Sequence, residues 1–345
     1  MSSTALQQDD QTRTIGLAAT RHFGMLGGMP TEPSRFASRM EQLRPSTIRE
    51  ILKVTAQPEI ISFAGGLPAP ELFPVDAVSR AAQQVLASDG PSALQYGPSE
   101  GYMPLREWIA AEMNRRGVKA SSNEVLVTSG SQQVLDLAGK LFLNRGDVVL
   151  TENPTYLAAI QAFQTMEARF VPVPTDDNGL IPDTIPELIR QHRPKFLYTI
   201  PNFQNPTGVT LAADRRQKLA RIAADHSLTI LEDDPYGQLR YRGADIPPVK
   251  HWDEAGRVLY ASTFSKVIAP GLRTGWVVAP PEIFSKLLML KQASDLHTSS
   301  LDQRIAYSFL TTSDVGAHLD RIRKSYGERF AVMDETLRAA MPSDY

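Results

Sequence analysis

One lysine, three small hydroxyl residues and one arginine share the stretch Ser262-Thr263-Phe264-Ser265-Lys266-Val267-Ile268-Ala269-Pro270-Gly271-Leu272-Arg273. A lysine held among dipoles and near a second cation has its ammonium form disfavoured, so Lys266 can offer a neutral amine as nucleophile. Hydroxyls and an arginine suit a phosphate, which takes charge-assisted and often bidentate bonds. Amine and phosphate cradle together fit pyridoxal phosphate held as a Schiff base. A surface lysine beside serines is common, so the other half of such a site must come from elsewhere in the chain.

Four further segments carry suitable chemistry, each after an apolar run. Thr128-Ser129-Gly130-Ser131-Gln132 opens a helical pattern, and a glycine-serine turn at a helix N-terminus is a ready phosphate site. The bland alternative is that Ser131 only caps the helix. Thr151-Glu152-Asn153-Pro154-Thr155-Tyr156 brings an aromatic ring that could stack on a flat cofactor or simply pack in the core. Pro201-Asn202-Phe203-Gln204-Asn205-Pro206-Thr207-Gly208 presents amides between prolines, for a phenolate oxygen or for a turn. Glu232-Asp233-Asp234-Pro235-Tyr236 puts carboxylates at a strand end, where burial is costly without a cation such as a protonated pyridine nitrogen. A metal site from three adjacent carboxylates is disfavoured, because consecutive strand residues point to opposite faces.

The elements that must position these groups follow from periodicity. Strand-like runs fall at 125–127, 147–150, 169–173, 196–200, 228–231, 257–261 and 275–279, with helical patterns at 132–143, 155–165, 183–191 and 211–226. Such alternation predicts an α/β fold, a mostly parallel sheet with helices on both faces, whose ligands bind outside the strands' carboxyl ends. Helices are expected also at 74–88, 103–117, 281–294, 301–311 and 314–340. Residues 1–34 read as a mobile tail. Gly97-Pro98-Ser99-Glu100-Gly101 matches a hydrolase nucleophile elbow, but Ser92–Tyr96 is a poor preceding strand and none of the six histidines is identifiable as its partner.

Composition limits the function classes. In 345 residues the net charge is −2 without a basic stripe, so nucleic acid is not an expected partner. The absence of cysteine removes disulfides, thiolate metal sites and a cysteine nucleophile. No apolar run approaches membrane-spanning length, and the polar first ten residues are unlike a signal peptide, so a cytoplasmic protein without a membrane partner is expected.

Taken together, Gly130-Ser131-Gln132, Asn205-Pro206-Thr207-Gly208, Asp233-Asp234-Pro235-Tyr236 and Ser262 through Arg273 resemble the fold-type I pyridoxal phosphate aminotransferases. The branch is similar to the 2-aminoadipate and kynurenine aminotransferases, over about Ser46 to the chain's end. The resemblance also covers Ile61 through Pro70, Gln95-Tyr96 and Ala293 through Thr298. It implies a three-layer sandwich around a mostly parallel seven-stranded sheet. A large domain would span 61–294, with a smaller α/β domain from 35–60 and 295–345.

Carried over residue by residue, the resemblance implies that Lys266 bonds the cofactor and moves the proton. Asp233 would pair with the ring nitrogen, Asn205 and Tyr236 would bond the phenolic oxygen, and Tyr156 would stack on the ring. Ser131, Gln132, Ser265 and Arg273 would hold the phosphate, with Tyr96 reaching over from a second subunit of a homodimer. Thr263, also in the cofactor site, stands where the family often has serine. Gly65, Gly66 and Asn205 would meet the substrate, and Arg49 an acidic side chain. The implied reaction is ping-pong transfer between an L-amino acid and a 2-oxo acid such as 2-oxoglutarate. Family members continue past Tyr345 to a carboxylate-clamping arginine, so a chain ending there is expected to bind cofactor but transaminate poorly. A cofactor-binding sensor and a lyase or decarboxylase on the same scaffold are the alternative readings.

Overall fold

Val125-Leu126-Val127, Val148-Val149-Leu150 and Ile230-Leu231 are apolar on both strand faces, the pattern of strands covered on two sides. The computed structural model describes residues 35–41, 43, 59–60 and 66–342, and it bears that pattern out. Seven strands form one sheet in the order β1-β9-β8-β7-β6-β2-β3. They are β1 (Val125–Thr128), β2 (Val148–Thr151), β3 (Arg169–Pro172), β6 (Phe196–Thr199), β7 (Thr229–Asp233), β8 (Val258–Thr263) and β9 (Gly275–Val278). A small antiparallel pair, β4 (Thr175–Asp176) and β5 (Gly179–Leu180), stands apart. The strands β3, β2, β6, β7 and β8 run parallel, whereas β9 is antiparallel to both β8 and β1. That reversal brings the first residue of β9, Gly275, beside Thr128 and Thr263, so its entry loop reaches the edge where the parallel strands end.

Alternate strand residues feed opposite layers. Val125, Val127, Tyr260 and Trp276 pack with α1 (Val75–Leu94), α2 (Met103–Arg115) and α8 (Ser300–Thr312). Val148, Leu197 and Ile230 pack with α5 (Ile185–His192) and α6 (Ala213–Asp225). Their neighbours Leu126, Tyr198, Leu231, Leu259 and Val277 point the other way, into α3 (Ser131–Phe142), α4 (Leu157–Gln164) and α7 (Pro281–Ser294). Each large apolar side chain so enclosed contributes about 1.5–3 kcal/mol. The α9 helix (Val315–Ala340) closes the described chain.

Two local readings are sharpened. The first helix continues to Leu94 across a break at Asp89, beyond the expected end near residue 88. Because Ser92–Leu94 are helical, no strand leads into Gly97–Gly101, and the hydrolase elbow has no support. The expected tail at 1–34 lies outside the described residues. Among the described residues, no helix is long and apolar enough to cross a membrane.

Candidate active site

At the carboxyl end of β7, the three consecutive carboxylates diverge as strand alternation requires. Glu232 accepts hydrogen bonds from Val249 N at 2.7 Å and Lys250 N at 2.8 Å, on the α6 side of the sheet. Asp234, just past the strand, accepts from Arg116 Nη2 at 2.7 Å, Tyr260 Oη at 2.8 Å and Asn202 Nδ2 at 3.0 Å. Those charge-assisted bonds, led by the Arg116 cation, hold its carboxyl below the usual carboxylate range despite burial. Asp233 alone turns to the other face. Its Oδ2 accepts from Tyr198 Oη at 2.9 Å, while Oδ1 is buried without a hydrogen-bond partner among the described residues. Burial pushes its carboxyl up to about 7, only partly opposed by the Tyr198 phenol.

Beside Asp233 lie three groups from neighbouring loops. Tyr236 feels the Asp233 charge, and burial above all raises its phenol to about 12, so it stays protonated. Asn205 Nδ2 donates to Tyr236 Oη at 3.4 Å. Tyr156, which leads into α4, adds to the same electrostatic neighbourhood and packs half-buried on the apolar layer there.

Lys266 follows β8, the neighbour of β7, in a loop folded back by Phe264 N donating to Thr274 O at 3.0 Å. Burial first, then the nearby Arg273 cation, lower the pKa of the Lys266 amine. Its Nζ donates to Gly66 O at 3.5 Å, so Gly66 reaches the site. Ser265 N donates to Thr263 Oγ1 at 3.1 Å, and the two hydroxyls lie 2.8 Å apart. Because the Thr263 hydroxyl donates to Thr274 O at 3.0 Å, Ser265 is the donor between them.

The third cluster is the turn into α3. Gly130 has φ 75°, and the helix begins without a side-chain cap. Its first backbone N–H groups therefore face outward with the positive end of the helix dipole. Arg273 Nη2 donates to Ser129 O at 3.4 Å and comes so close that a Cβ on Gly130 would sit 2.4 Å from it. A Cβ on Gly275 would lie 2.6 Å from the backbone of Gly130 and Ser131. Gln132, one residue into the helix, donates to Ala158 O at 3.4 Å.

These features fit pyridoxal 5'-phosphate. An orphaned buried carboxylate oxygen matches a protonated ring nitrogen, protonated Tyr236 and Asn205 match a phenolic oxygen, and Arg273 over an uncapped helix start matches a phosphate. Among the sequence-derived candidates, Ser131, Gln132, Thr263, Ser265, Lys266 and Arg273 share one stretch of the strand-end edge. Asn205, Asp233, Tyr236 and Tyr156 occupy the adjoining one. Tyr96 is 78% exposed, its ring edge-on to His297 at 5.7 Å. Arg49 and Gly65 lie outside the described residues.

Sequence reasoning missed the groups that hold these in place. Tyr198 sits within β6 as one more apolar-looking strand residue, and nothing local links it to Asp233. Arg116 is 118 residues from Asp234. Gln204 donates to Glu152 Oε2 at 3.3 Å and to Pro154 O at 2.8 Å, tying the Tyr156 loop to the Asn205 loop. The placing of Gln204 beside Asn205 was the one available signal.

Comparison with known proteins agrees with this geometry. The chain is 42% identical over 89% of its length to aromatic-amino-acid aminotransferase 1 of Thermococcus litoralis, covering 75% of that protein. It is 43% identical over 90% of its length to the 2-aminoadipate transaminase of Thermus thermophilus, covering 77% of it. The crystal structure of LysN, the α-aminoadipate aminotransferase of Thermus thermophilus, complexed with N-(5'-phosphopyridoxyl)-L-leucine, superposes with a TM-score of 0.82 at 42% identity. That match covers 89% of this chain and 77% of LysN. The family model "Aminotransferase class I and II" matches residues 59–344. Fold, strand-end chemistry and relatives therefore agree: the chain belongs to the class I and II aminotransferases and depends on pyridoxal 5'-phosphate.

Proposed function

We propose that this aminotransferase passes the amino group of an L-amino acid of 2-aminoadipate, aromatic or branched type to a 2-oxo acid such as 2-oxoglutarate, in ping-pong order. The observation that carries the reading is the unpartnered, buried Asp233 Oδ1 on the strand next to the one that delivers Lys266. The substrate classes are supported by relatives named for aromatic amino acids and for 2-aminoadipate.

When bound, the cofactor supplies an aldehyde for the amino group and an electron-accepting ring for the α-carbon. Lys266 Nζ takes the α-proton and returns it, since burial and Arg273 favour its neutral, basic form. Asp233 Oδ1 accepts from the ring nitrogen and keeps it protonated. Tyr236 and Asn205 would donate to the phenolic oxygen, and Tyr156 would lie against the ring. Ser131, Gln132, Thr263, Ser265 and Arg273 hold the phosphate, joined by Tyr96 from a second subunit. Gly65 and Gly66, with Asn205, would serve the substrate's α-carboxylate, and Arg49 an acidic side chain. The same reading makes the enzyme a cytoplasmic homodimer with a large domain over 61–294 and a small one from 35–60 and 295–345.

The test is a donor screen without acceptor. Purified protein loaded with pyridoxal 5'-phosphate should lose its visible absorbance when the right amino acid is added, and regain it with 2-oxoglutarate. Double-reciprocal plots should be parallel. Persistent absorbance with every donor, or release of ammonia or carbon dioxide in place of exchange, would overturn the proposal.

A further inference from the structure

Lys291 is fully buried near the end of α7, where an unpaired ammonium would be costly. Four contacts satisfy it. Its Nζ donates to Gln133 Oε1 at 2.9 Å, to Asp295 Oδ1 at 2.9 Å and Oδ2 at 3.1 Å, and to Thr298 Oγ1 at 3.0 Å. Every one of these partners also reaches Ser129 or its neighbours. Ser129 Oγ donates to Asp295 Oδ2 at 2.8 Å and lies 3.4 Å from Thr298 Oγ1. Ser129 N donates to Gln133 Oε1 at 2.9 Å. Thr298 Oγ1 donates to Val127 O at 3.4 Å, one strand residue before the turn. The residue that precedes Gly130 is thus clamped through its amide and its hydroxyl by one buried cation and its ligands.

Two consequences follow for the turn into α3. The clamp holds Ser129 at its amide and its hydroxyl, directly before the turn whose N–H groups open the helix. It also cancels a charge, since Asp295 would otherwise set a bare carboxylate against the loop that receives a dianion. Burial above all lowers the pKa of the Lys291 amine, partly offset by Asp295. Asp295 itself stays below the carboxylate range through its bonds to Lys291, Gln133 and Ser129. From this geometry we infer that Lys291, through Asp295 and Gln133, is a positioning residue for the phosphate cradle, setting the enzyme's affinity for the phosphate of its cofactor. The inference rests on the cofactor assignment above and adds residues to which that assignment gives no role.

The experiment compares pyridoxal 5'-phosphate with pyridoxal, which lacks the phosphate, as ligands of cofactor-free enzyme followed by absorbance. Lys291→Met keeps most of the length of the side chain and removes the ammonium group with its charge. Its affinity for pyridoxal 5'-phosphate should fall at least about tenfold while that for pyridoxal changes less than about threefold, since one member of a charge pair is lost. Ser129→Ala, a smaller change that leaves Lys291 and Asp295 paired, should show the same split at roughly three- to tenfold. Equal losses for both ligands, or unchanged affinity for both, would overturn the inference. Wild-type protein that binds neither ligand would instead overturn the cofactor assignment, so the two failures are distinguishable.

Discussion

Tyr198 Oη donates to Asp233 Oδ2 at 2.9 Å and leaves Oδ1 of the same carboxylate buried and open to one more partner. The two residues lie on adjacent parallel strands, Tyr198 opposite Leu231 and Asp233 two residues on, so both face the layer built by α3, α4 and α7. The phenol thereby orients the carboxylate and favours its ionised form. Tyr198→Phe keeps the ring, which packs edge-on to Phe163 at 5.8 Å, and removes only that bond. Hydrogen bonds to charged groups are worth about 1.5–3 kcal/mol, so cofactor affinity should fall roughly tenfold or more. An absorbance titration that matches wild type would refute the role given to Tyr198.

Replacing Lys266 should abolish exchange while sparing the fold. Positioned proton transfer contributes about 10²–10⁴-fold, so Lys266→Ala should lose on the order of 10³-fold or more in kcat. Thermal unfolding should stay close to wild type, because the amine's hydrogen bond to Gly66 O is long, at 3.5 Å. Retention of a tenth of the wild-type rate would remove Lys266 from the mechanism.

The two glycines of the phosphate turn should fail differently. At Gly130 an added Cβ meets the end of a flexible arginine, 2.4 Å from Arg273 Nη2, at a φ of 75°. Gly130→Ala should therefore fold, at a cost of about 1–3 kcal/mol, yet bind cofactor weakly because Arg273 is displaced. At Gly275 the Cβ meets backbone at 2.6 Å, which cannot step aside. Gly275→Ala should lower the unfolding temperature markedly, and denaturant titration of the pair distinguishes the cases.

Arg116 is expected to matter for stability. Removing one member of a buried ion pair costs about 3–5 kcal/mol. Asp234 keeps Tyr260, Asn202 and the Gly237 amide at 2.9 Å, so Arg116→Met should lie near the lower end. Urea unfolding of the cofactor-free protein measures it, and a loss under about 0.5 kcal/mol would contradict the structure.

Burial raises Glu152, Glu232 and Asp233 each to about 7. In the unfolded chain such groups ionise near pH 4, so the folded form holds the extra protons between roughly pH 4 and 7. Their contribution to stability is full below that range and is lost as pH rises through about 7. The unfolding temperature of cofactor-free Asp233→Asn should thus decline less than wild type between pH 5 and 8. Bound cofactor should flatten the wild-type curve, because a cation at Oδ1 restores the ionised carboxylate. Parallel curves for wild type and variant would show that Asp233 does not titrate as described.

The chain by itself determined the α/β alternation, because apolar period and turn chemistry are local and each strand reads as a short buried run. It also marked which loops are candidates for the chemistry. Lys266, Asp233, Asn205 and the Gly130 turn follow strand-like runs, and parallel sheets bring such ends to one edge. Strand alternation kept Glu232, Asp233 and Asp234 from converging on one point, and the family resemblance singled out Asp233 among them. What it left open are pairings across long sequence distances. Tyr198 with Asp233 depends on the register of β6 against β7, Arg116 with Asp234 on how α2 meets the sheet, and Lys291 with Ser129 on how α7 lies against α3. Register and packing are settled by burying whole faces at once, so only the assembled layers decide which carboxylate is satisfied and which is left waiting for a ligand.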